Sequence, residues 1–138
     1  MDSAAVRKFF EENDQMAKLL GCEIVDIGEG SASVRMPVRR ELLNGVGTLH
    51  GGALFSMADY AFAIAVNSHG KVAVALTCSV SFLQPGRLGS VLLADAKTVA
   101  VTNRTALIEV RISDEKGQLI GSFQGTAYRS SKDLSEIA

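Results

Sequence analysis

The stretch from Asn44 to Gly70 has the sequence NGVGTLHGGALFSMADYAFAIAVNSHG, and the rest of the chain is organised around it. A glycine-rich loop leads through His50 into an alanine-rich apolar run, which predicts one buried helix ending near Gly70. Asp59 is the only Asp, Glu, Lys or Arg between positions 41 and 71. The run shows no obvious solvated stripe, and burying a carboxylate without a partner costs several kcal/mol. Asp59 is therefore a candidate for a chemical role.

The composition indicates an ordinary globular chain. With 138 residues, of which 47% are hydrophobic and 21% charged, we expect one domain with a sizeable core. A net charge of -1 does not favour a nucleic-acid or anionic-membrane partner. The N-terminus lacks the pattern of a secretory signal, so we expect a cytoplasmic protein. Cys22 and Cys78 have no metal-ligand spacing, so we expect reduced, structural thiols and no metal site.

The first third of the chain predicts a helix and a hairpin. Residues 2 to about 19 have an amphipathic pattern, with Asp2 or Ser3 as the cap, Leu19 and Leu20 on the apolar face, and Gly21 as the stop. Residues 22–27 and 31–37 predict two strands that are joined by a glycine-containing turn.

After the central helix the pattern changes from helical to alternating. Long strands are predicted over residues 72–83, 90–101, 105–113 and 118–129, followed by a frayed polar tail over 130–138. Val72, Val74, Leu76 and the following even-numbered residues share one face of the first of these strands. Gly121 and Gly125 lie on the inner face of the last strand, which would let the helix approach closely. The element order predicts an α+β fold, with a curled antiparallel sheet around one helix.

The pair Gly51-Gly52 lies where the central helix is predicted to begin. The first N–H groups of a helix have no partner within it, and the helix dipole adds partial positive charge there. Such a helix start can hold an anion, or the oxyanion that develops on an acyl carbonyl under attack. Glycines at this position are equally consistent with close packing alone.

The spacing of Gly51 and Asp59 constrains any shared chemistry. Eight residues of helix correspond to about 12 Å, so the two groups cannot act on one carbonyl carbon within a single chain. Two copies of the helix that run antiparallel across a two-fold axis would bring Gly51 of one chain to Asp59 of the other. The spacing therefore predicts a dimer with two composite sites. The alternative is an Asp59 that is solvated, or satisfied by backbone donors, with no catalytic role.

Other candidate groups give weaker signals. His50, at the helix start, could be a general base, but a role in orienting the loop is favoured. His69 lies where the helix is predicted to end, so we expect it to cap the helix. Cys78 alternates with valines along a predicted strand, so we expect it to lie in the core. The sequence contains no Gly-x-Ser-x-Gly elbow and no Gly-Lys-Ser/Thr phosphate loop, so those hydrolase classes are not favoured.

The segment from Asn44 through the glycine pair to Asp59, with FLQPG at residues 82–86, resembles the hotdog-fold acyl-CoA thioesterases of the phenylacetate-degradation (PaaI-like) type. The resemblance extends from the N-terminal helix to Arg129. It implies a hotdog fold, in which a curved antiparallel β-sheet wraps around a long central α-helix, and dimers that pair into a homotetramer. It also implies a hydrolase for which CoA is part of the substrate and no separate cofactor is needed.

The same resemblance implies roles for individual residues. Asp59 would be the catalytic carboxylate, acting as general base or as nucleophile, and the Gly51 amide would polarise the thioester carbonyl. Asn44 would orient water or substrate, and His50 would support the loop. Some relatives carry Ser or Thr near the start of the first long strand, where this chain has Ala75. The implied CoA-binding residues are Phe82, Gln84, Pro85, Arg87, Asn103, Arg104 and Arg129.

Two other functions stay open at this point. A hotdog-fold dehydratase or hydratase would need His50 and Asp59 to converge on the alpha and beta carbons of a substrate. A non-catalytic acyl-CoA-binding protein would usually carry an output module, and no DNA-binding segment is evident. The sequence does not distinguish an aryl-acetyl, another aromatic or a medium-chain acyl group.

Overall fold

Residues 2–137, which the computed structural model describes, form three α-helices, six β-strands and two short 3-10 helices. Within this range, no helix is both long and apolar enough to cross a lipid bilayer. The elements in chain order are α1 (Ser3–Asn13), α2 (Gln15–Leu20), β1 (Glu23–Gly28), β2 (Ser31–Pro37), a 3-10 turn (Arg40–Leu42), α3 (Gly51–Asn67), β3 (Lys71–Phe82), β4 (Val91–Val101), β5 (Thr105–Ser113), β6 (Leu119–Asp133) and a second 3-10 turn (Leu134–Glu136).

The six strands form one antiparallel sheet in the order β1-β2-β4-β5-β6-β3. Helix α3 packs against all six strands, and its Met57, Phe62 and Ile64 are almost completely buried together with Ile108 and Phe123 of the sheet. The predicted α+β architecture, a sheet around one apolar helix, is confirmed. Strand β3 lies at an edge of this sheet, directly after α3 in the chain.

Two glycines of β6 set the distance between the sheet and α3. A Cβ atom on Gly125 would lie 2.6 Å from the ring of Phe62, and one on Gly121 would lie 3.1 Å from Leu54. The predicted close approach of helix and strand is therefore present at both positions.

Strand β3 does not present the single continuous face that strict alternation predicts. Its register with β6 shifts between Ala75 and Thr77, so that Leu76 is an extra residue, as in a β-bulge. Beyond the bulge, Cys78 pairs with Gly125, whose Cα faces α3. The predicted face that joins Val74 and Leu76 to Cys78 is therefore wrong, because a bulge moves every later side chain to the other face.

The predicted N-terminal helix is two helices, broken at Asp14. The Asp14 carboxylate accepts the N–H of Ala17 at 3.0 Å and caps α2. The break changes the buried face, so Leu19, predicted to be buried, is 72% exposed, while Leu20 is buried. Gly21 ends α2 with a φ of 75°, as predicted.

The C-terminal segment differs from the predicted frayed tail. Strand β6 continues to Asp133, whose carboxylate pairs with Lys71 of β3 at 2.8 Å. Leu134 is 1% exposed, and its N–H donates to the carbonyl of Gly70. These contacts hold the segment against the C-terminal end of α3.

Candidate active site

The start of α3 presents one free backbone donor. His50 is the N-cap, and its Nδ1 accepts the N–H of Gly52 at 2.8 Å. The N–H of Ala53 donates to the His50 carbonyl at 3.0 Å. The N–H of Gly51 has no hydrogen-bond acceptor among residues 2–137. This geometry agrees with the orienting role expected of His50 and leaves Gly51 as the available donor.

Asn44 is held by its own loop. Its Oδ1 accepts the N–H groups of Val46 at 3.0 Å and Thr48 at 3.1 Å, and its Nδ2 donates to Thr48 Oγ1 at 3.0 Å. A side-chain amide carries two N–H donors, so one remains for a ligand. Sequence reasoning missed Thr48, although a polar residue four positions after an Asn in a glycine-rich loop is a signal for such a turn.

A cavity of about 320 Å³ is lined by both Gly51 and Asn44, and we call it the Gly51 cavity. Three of the predicted CoA-binding residues, Phe82, Gln84 and Pro85, line it together with Gly51 and Asn44. The Phe82 ring lies against Gly51, where a Cβ atom would be 3.1 Å from it. The members that the sequence did not indicate are Thr48, Leu49 and Leu54, since Leu83 and Gly86 fall within residues 82–87, where the resemblance implied CoA contacts.

Asp59 lies on the least buried line of α3, which Gly52, Ser56, Asp59 and Ala63 form at helical spacing. The expectation of a helix without a solvated stripe is therefore wrong. Within residues 2–137, the Asp59 carboxylate has no ion-pair partner. Burial raises its pKa above the ordinary 3.8, and the negative charge of Asp14 adds to this effect.

The Gly51 amide and the Asp59 carboxylate do not meet within one protomer. Helix α3 is continuous from Gly51 to Asn67, so Asp59 lies about 12 Å along its axis from Gly51. The structure thus retains the separation on which the dimer prediction depends.

The cysteines are free thiols, and their environments do not favour nucleophilic chemistry. Burial and then the charge of Asp59 raise the pKa of Cys78, and burial raises the pKa of Cys22 to about 12. Both groups are therefore neutral thiols near pH 7, which agrees with the structural role that we expect. Among residues 2–137, no group of three His, Cys, Asp or Glu side chains is placed to hold a metal ion.

The other predicted CoA-binding residues lie outside the Gly51 cavity. Arg87 is exposed and follows Gly86 at its rim. Asn103 and Arg104 are exposed in the turn between β4 and β5, beside Arg129. Arg129 is eight β6 residues away from the partner of Phe82, a separation of roughly 26 Å. One protomer therefore does not bring these groups together.

Arg129 is engaged with the turn between β4 and β5. Its Nη1 donates to the Thr102 carbonyl at 2.6 Å, and its backbone N–H donates to the Arg104 carbonyl at 2.7 Å. Thr102 Oγ1 in turn accepts the N–H of Thr105 at 2.9 Å. Arg129 thus braces the turn that carries Asn103 and Arg104.

A second cavity, of about 280 Å³, lies on the opposite side of the α3 start, and we call it the α2 cavity. Leu42, Leu43 and Ala53 line it, together with Met16 and Leu20 of α2. His50 and Gly52 also line the α2 cavity. The residues on either side of Gly51 in the sequence thus border this cavity, while Gly51 itself borders the other.

His69 ties the end of α3 to the sheet instead of capping the helix. Its Nε2 lies 2.9 Å from Thr98 Oγ1, which donates to the Gly30 carbonyl at 2.8 Å. Ser68 Oγ accepts the Gly30 N–H at 2.7 Å. A larger cavity, of about 370 Å³, borders His69, but it is at the opposite end of α3 from Gly51. The predicted capping role of His69 is therefore wrong.

A sequence profile described as the thioesterase superfamily matches residues 46–120, a segment that includes Gly51 and Asp59. The chain belongs to the thioesterase superfamily. It is a thioester hydrolase with the hotdog fold, as the resemblance implied.

Individual relatives refine this assignment. The acyl-coenzyme A thioesterase PaaI of Escherichia coli (strain K12) is 42% identical over 118 residues, which cover 86% of this chain and 84% of that protein. The structure of the E. coli PaaI protein from the phenylacetic acid degradation operon matches with a TM-score of 0.91 and 38% identity, covering 94% of both chains. A hypothetical thioesterase with coenzyme A from Streptococcus pneumoniae TIGR4 matches at 26% identity and a TM-score of 0.84, covering 89% of this chain and 98% of that one. The predicted similarity of this thioesterase to the PaaI type is confirmed.

Proposed function

We propose that this thioesterase hydrolyses an acyl-CoA, with an aryl-acetyl, other aromatic or medium-chain acyl group, to the free acid and CoA. The name of the E. coli relative and the coenzyme A in the S. pneumoniae structure support CoA as the thiol part of the substrate. The observation in this chain that carries the proposal is the unpartnered N–H of Gly51, a residue that lines the Gly51 cavity.

In this mechanism, the thioester carbonyl oxygen accepts hydrogen bonds from the Gly51 N–H and from the free N–H of Asn44. Both donors are fixed before substrate binds, Gly51 by the helix start and Asn44 by its bonds within the loop. Fixed donors that face a developing oxyanion stabilise it without reorganisation, and one such donor is worth about 10²–10³ in kcat. The partial positive charge of the α3 dipole acts in the same direction.

The partner's Asp59 would supply the other half of the reaction. As a general base it takes a proton from water while the water oxygen attacks the carbonyl carbon. The C–S bond then breaks, and the CoA sulfur leaves as a thiolate that is protonated. As a nucleophile the carboxylate would instead displace the CoA thiolate, breaking the C–S bond to form a mixed anhydride, which water hydrolyses to the free acid and the Asp59 carboxylate. The raised pKa of Asp59 makes it a stronger base than an ordinary carboxylate.

The exposed edge of β3 supports the dimer that this mechanism requires. The strand is 12 residues long, and its Val74 and Leu76 are 60% and 59% exposed. A long apolar edge strand offers unpaired backbone groups to another chain. Antiparallel pairing of two β3 strands across a two-fold axis would also set the two α3 helices antiparallel. The same operation would bring the turn with Asn103 and Arg104 toward the partner's Gly51 cavity. The expected pairing of dimers into a homotetramer and the cytoplasmic location stay predictions.

The dehydratase or hydratase alternative is not favoured. It needs His50 as an acid or base, and although Nδ1 of His50 accepts the N–H of Gly52, its Nε2 is left available. What disfavours this alternative is the match of the chain to thioester hydrolases. A non-catalytic acyl-CoA-binding role is at odds with membership in a hydrolase family.

The proposal is tested with Gly51→Pro, which replaces the Gly51 N–H by the bond from the nitrogen to the proline Cδ. Gly51 is the first helical residue, where proline is well tolerated, and His50 has φ -61° and ψ 134°, as a residue before proline should. We expect Gly51→Pro to lower kcat by about 10²–10³ because the carbonyl loses its backbone donor. The measurement is steady-state hydrolysis of phenylacetyl-CoA and hexanoyl-CoA, followed by release of free thiol.

Gly51→Ala is the matched control, since it adds a Cβ atom against Phe82 but keeps the N–H. We expect it to retain kcat within about tenfold of the unmodified enzyme, because only the contact with Phe82 changes. Equal losses in the two variants would show that crowding against Phe82, and not the N–H, matters. A folded Gly51→Pro enzyme with normal turnover would overturn the proposed mechanism.

A further inference from the structure

Resting on the proposed function, we infer that Thr48 is a further catalytic residue, whose hydroxyl donates a hydrogen bond to the CoA sulfur as the C–S bond breaks. In the proposed mechanism the carbonyl oxygen has two donors, Gly51 and Asn44, whereas the leaving thiolate has none. Negative charge develops on the sulfur at that step, and a positioned donor would stabilise it. Thr48 lines the Gly51 cavity together with both oxygen donors.

The loop fixes the direction of the hydrogen bond between Asn44 and Thr48. Asn44 Oδ1 accepts the backbone N–H groups of Val46 at 3.0 Å and Thr48 at 3.1 Å, which establishes which end of the amide is the oxygen. Asn44 Nδ2 can only donate, so Thr48 Oγ1, 3.0 Å away, is the acceptor. The proton of the hydroxyl is therefore not used in this bond, and it has no acceptor among residues 2–137.

The hydroxyl of Thr48 is held in place before substrate binds. The Thr48 carbonyl accepts the N–H of Asn44 at 2.7 Å, and the side chain is partly buried. The next residue, Leu49, is buried, and its N–H donates to the Gly86 carbonyl at 2.8 Å. A hydroxyl whose oxygen already accepts a hydrogen bond is also a stronger donor, since the two bonds polarise one another. Thr48 thus offers a fixed donor at the Gly51 cavity.

The planar amide of Asn44 limits which substrate atom the hydroxyl can reach. The two N–H bonds of the amide diverge by about 120°, so hydrogen bonds of about 2.9 Å place Thr48 Oγ1 and the carbonyl oxygen roughly 5 Å apart. The hydroxyl therefore does not reach the carbonyl oxygen. Of the other two groups on the carbonyl carbon, the acyl carbon accepts no hydrogen bond, whereas the sulfur does. A bond to the attacking water is disfavoured, because it would occupy a lone pair needed for attack.

The Thr48 hydroxyl keeps its proton throughout the step. Both electrons of the C–S bond go to the sulfur, and the thiolate takes up a proton from solvent after it leaves. An alkyl thiol, with a pKa of about 8.5, is a far stronger acid than an aliphatic hydroxyl, so the hydroxyl donates only a hydrogen bond. Because hydrogen bonds to charged groups are the stronger ones, this bond strengthens as charge develops on the sulfur. The donor therefore acts on kcat more than on KM.

Thr48→Val removes the hydroxyl with little change of shape. We expect it to lower kcat for phenylacetyl-CoA and hexanoyl-CoA about tenfold or more, with KM within about twofold, because the lost bond is strongest in the transition state. Thr48→Ser is the matched control, since it keeps the hydroxyl, and it should retain most of kcat. A folded Thr48→Val enzyme with the kcat of the unmodified enzyme would overturn the inference.

Binding of CoA and of desulfo-CoA, in which hydrogen replaces the thiol group, isolates the contact with sulfur. The measurement is calorimetry at about pH 9.5, where much of an alkyl thiol is ionised. We expect the unmodified enzyme and Thr48→Ser to bind CoA about tenfold more tightly than desulfo-CoA, and Thr48→Val to bind both with a similar Kd.

Two outcomes of the calorimetry would overturn the inference. One is an unmodified enzyme that does not distinguish CoA from desulfo-CoA. The other is an equal weakening of both ligands in Thr48→Val, which would leave Thr48 only a role in positioning Asn44 or in binding another part of CoA. An unmodified enzyme that neither binds CoA nor hydrolyses any acyl-CoA would instead defeat the proposed function itself.

Discussion

Asp59 carries a free-energy cost that its surroundings do not offset. The carboxylate is half-buried, has no ion-pair partner among residues 2–137, and lies near the negative charge of Asp14. A group in this position destabilises the folded chain when it is ionised. A residue that lowers stability and yet lies in the middle of a core helix is typical of an active site, where a group needed for the reaction is retained at a cost in stability.

This cost predicts that Asp59→Asn stabilises the protein in a pH-dependent way. Well below pH 3.8 the carboxyl is protonated in both the folded and the unfolded chain, so its titration has no effect on stability there. As the pH rises above 3.8, the unfolded chain ionises first, and the free energy of unfolding falls until the folded carboxyl ionises as well. We expect Asp59→Asn to raise Tm by about 2 °C at pH 7 and to lose this effect well below pH 3.8, where the carboxyl is neutral in both states.

Thermal unfolding followed by circular dichroism at both pH values measures this difference. Asp26→Asn is the control, because Asp26 is an exposed carboxylate on β1, where the same chemical change should leave Tm unchanged. A lower Tm for Asp59→Asn at pH 7 would mean that the carboxylate has a stabilising partner.

At the scale of elements, the contact of β6 with α3 is the most demanding part of the fold. We expect Gly125→Ala to lower the free energy of unfolding by about 1–3 kcal/mol, because its Cβ atom would overlap the buried ring of Phe62 at 2.6 Å. Gly121→Ala should cost less, since the nearest atom, at 3.1 Å, is the end of the flexible Leu54 side chain. Gly45→Ala, where a Cβ atom meets nothing within 4 Å, is the control.

Urea denaturation of the three variants gives the comparison. Full or partial recovery on adding Phe62→Leu to Gly125→Ala would show that the ring overlap is the cause. An equal loss in Gly125→Ala and Gly45→Ala would contradict the packing argument.

Local patterns predicted α3, the first hairpin and β5 because their periodicity and turn residues lie within the element itself. The break at Asp14 was missed, since one Asp side chain can cap a new helix inside a continuous amphipathic pattern. The bulge at Leu76 depends on the register with β6, and the extension of β6 to Asp133 depends on pairing with Lys71. Both features depend on contacts between residues far apart in sequence, and the periodicity of a single segment carries no information about such contacts.

For the candidate site, too, local patterns could be predicted from the sequence and long-range contacts could not. The spacing of Asn44, Gly51 and Asp59 is a local property and was available from the sequence. Thr48 was also available, as a turn partner of Asn44. The wall of the Gly51 cavity was indicated in part, by the resemblance over residues 82–87. The wall of the α2 cavity was not, because Met16 and Leu20 reach the helix start only through tertiary packing. The stripe that includes Asp59 could have been found from small and polar residues recurring at helical spacing along α3.

For the whole molecule, one two-fold operation would account for three separate features. It would cover the apolar edge of β3, bring the partner's Asp59 to the free Gly51 donor, and bring the arginine-bearing turn toward the Gly51 cavity. A single protomer explains none of these, because Asp59 lies about 12 Å from Gly51 and Arg129 roughly 26 Å from Phe82. The unit of function in the proposed mechanism is therefore a pair of chains.

The pair can be tested by mixing two inactive enzymes. Asp59→Asn and Gly51→Pro homodimers each lack one half of both sites, so both should be inactive. A mixed dimer has one site with both lesions and one with none, because the two halves come from different chains. After random exchange, half of the dimers are mixed, and about a quarter of all sites should be intact. We expect about a quarter of the unmodified activity from co-expressed, differently tagged chains.

Asp59→Asn mixed with Asp59→Ala is the control and should stay inactive. If mixed dimers isolated by both tags had no activity, each site would lie within one chain, and Asp59 could not act on a carbonyl held at Gly51.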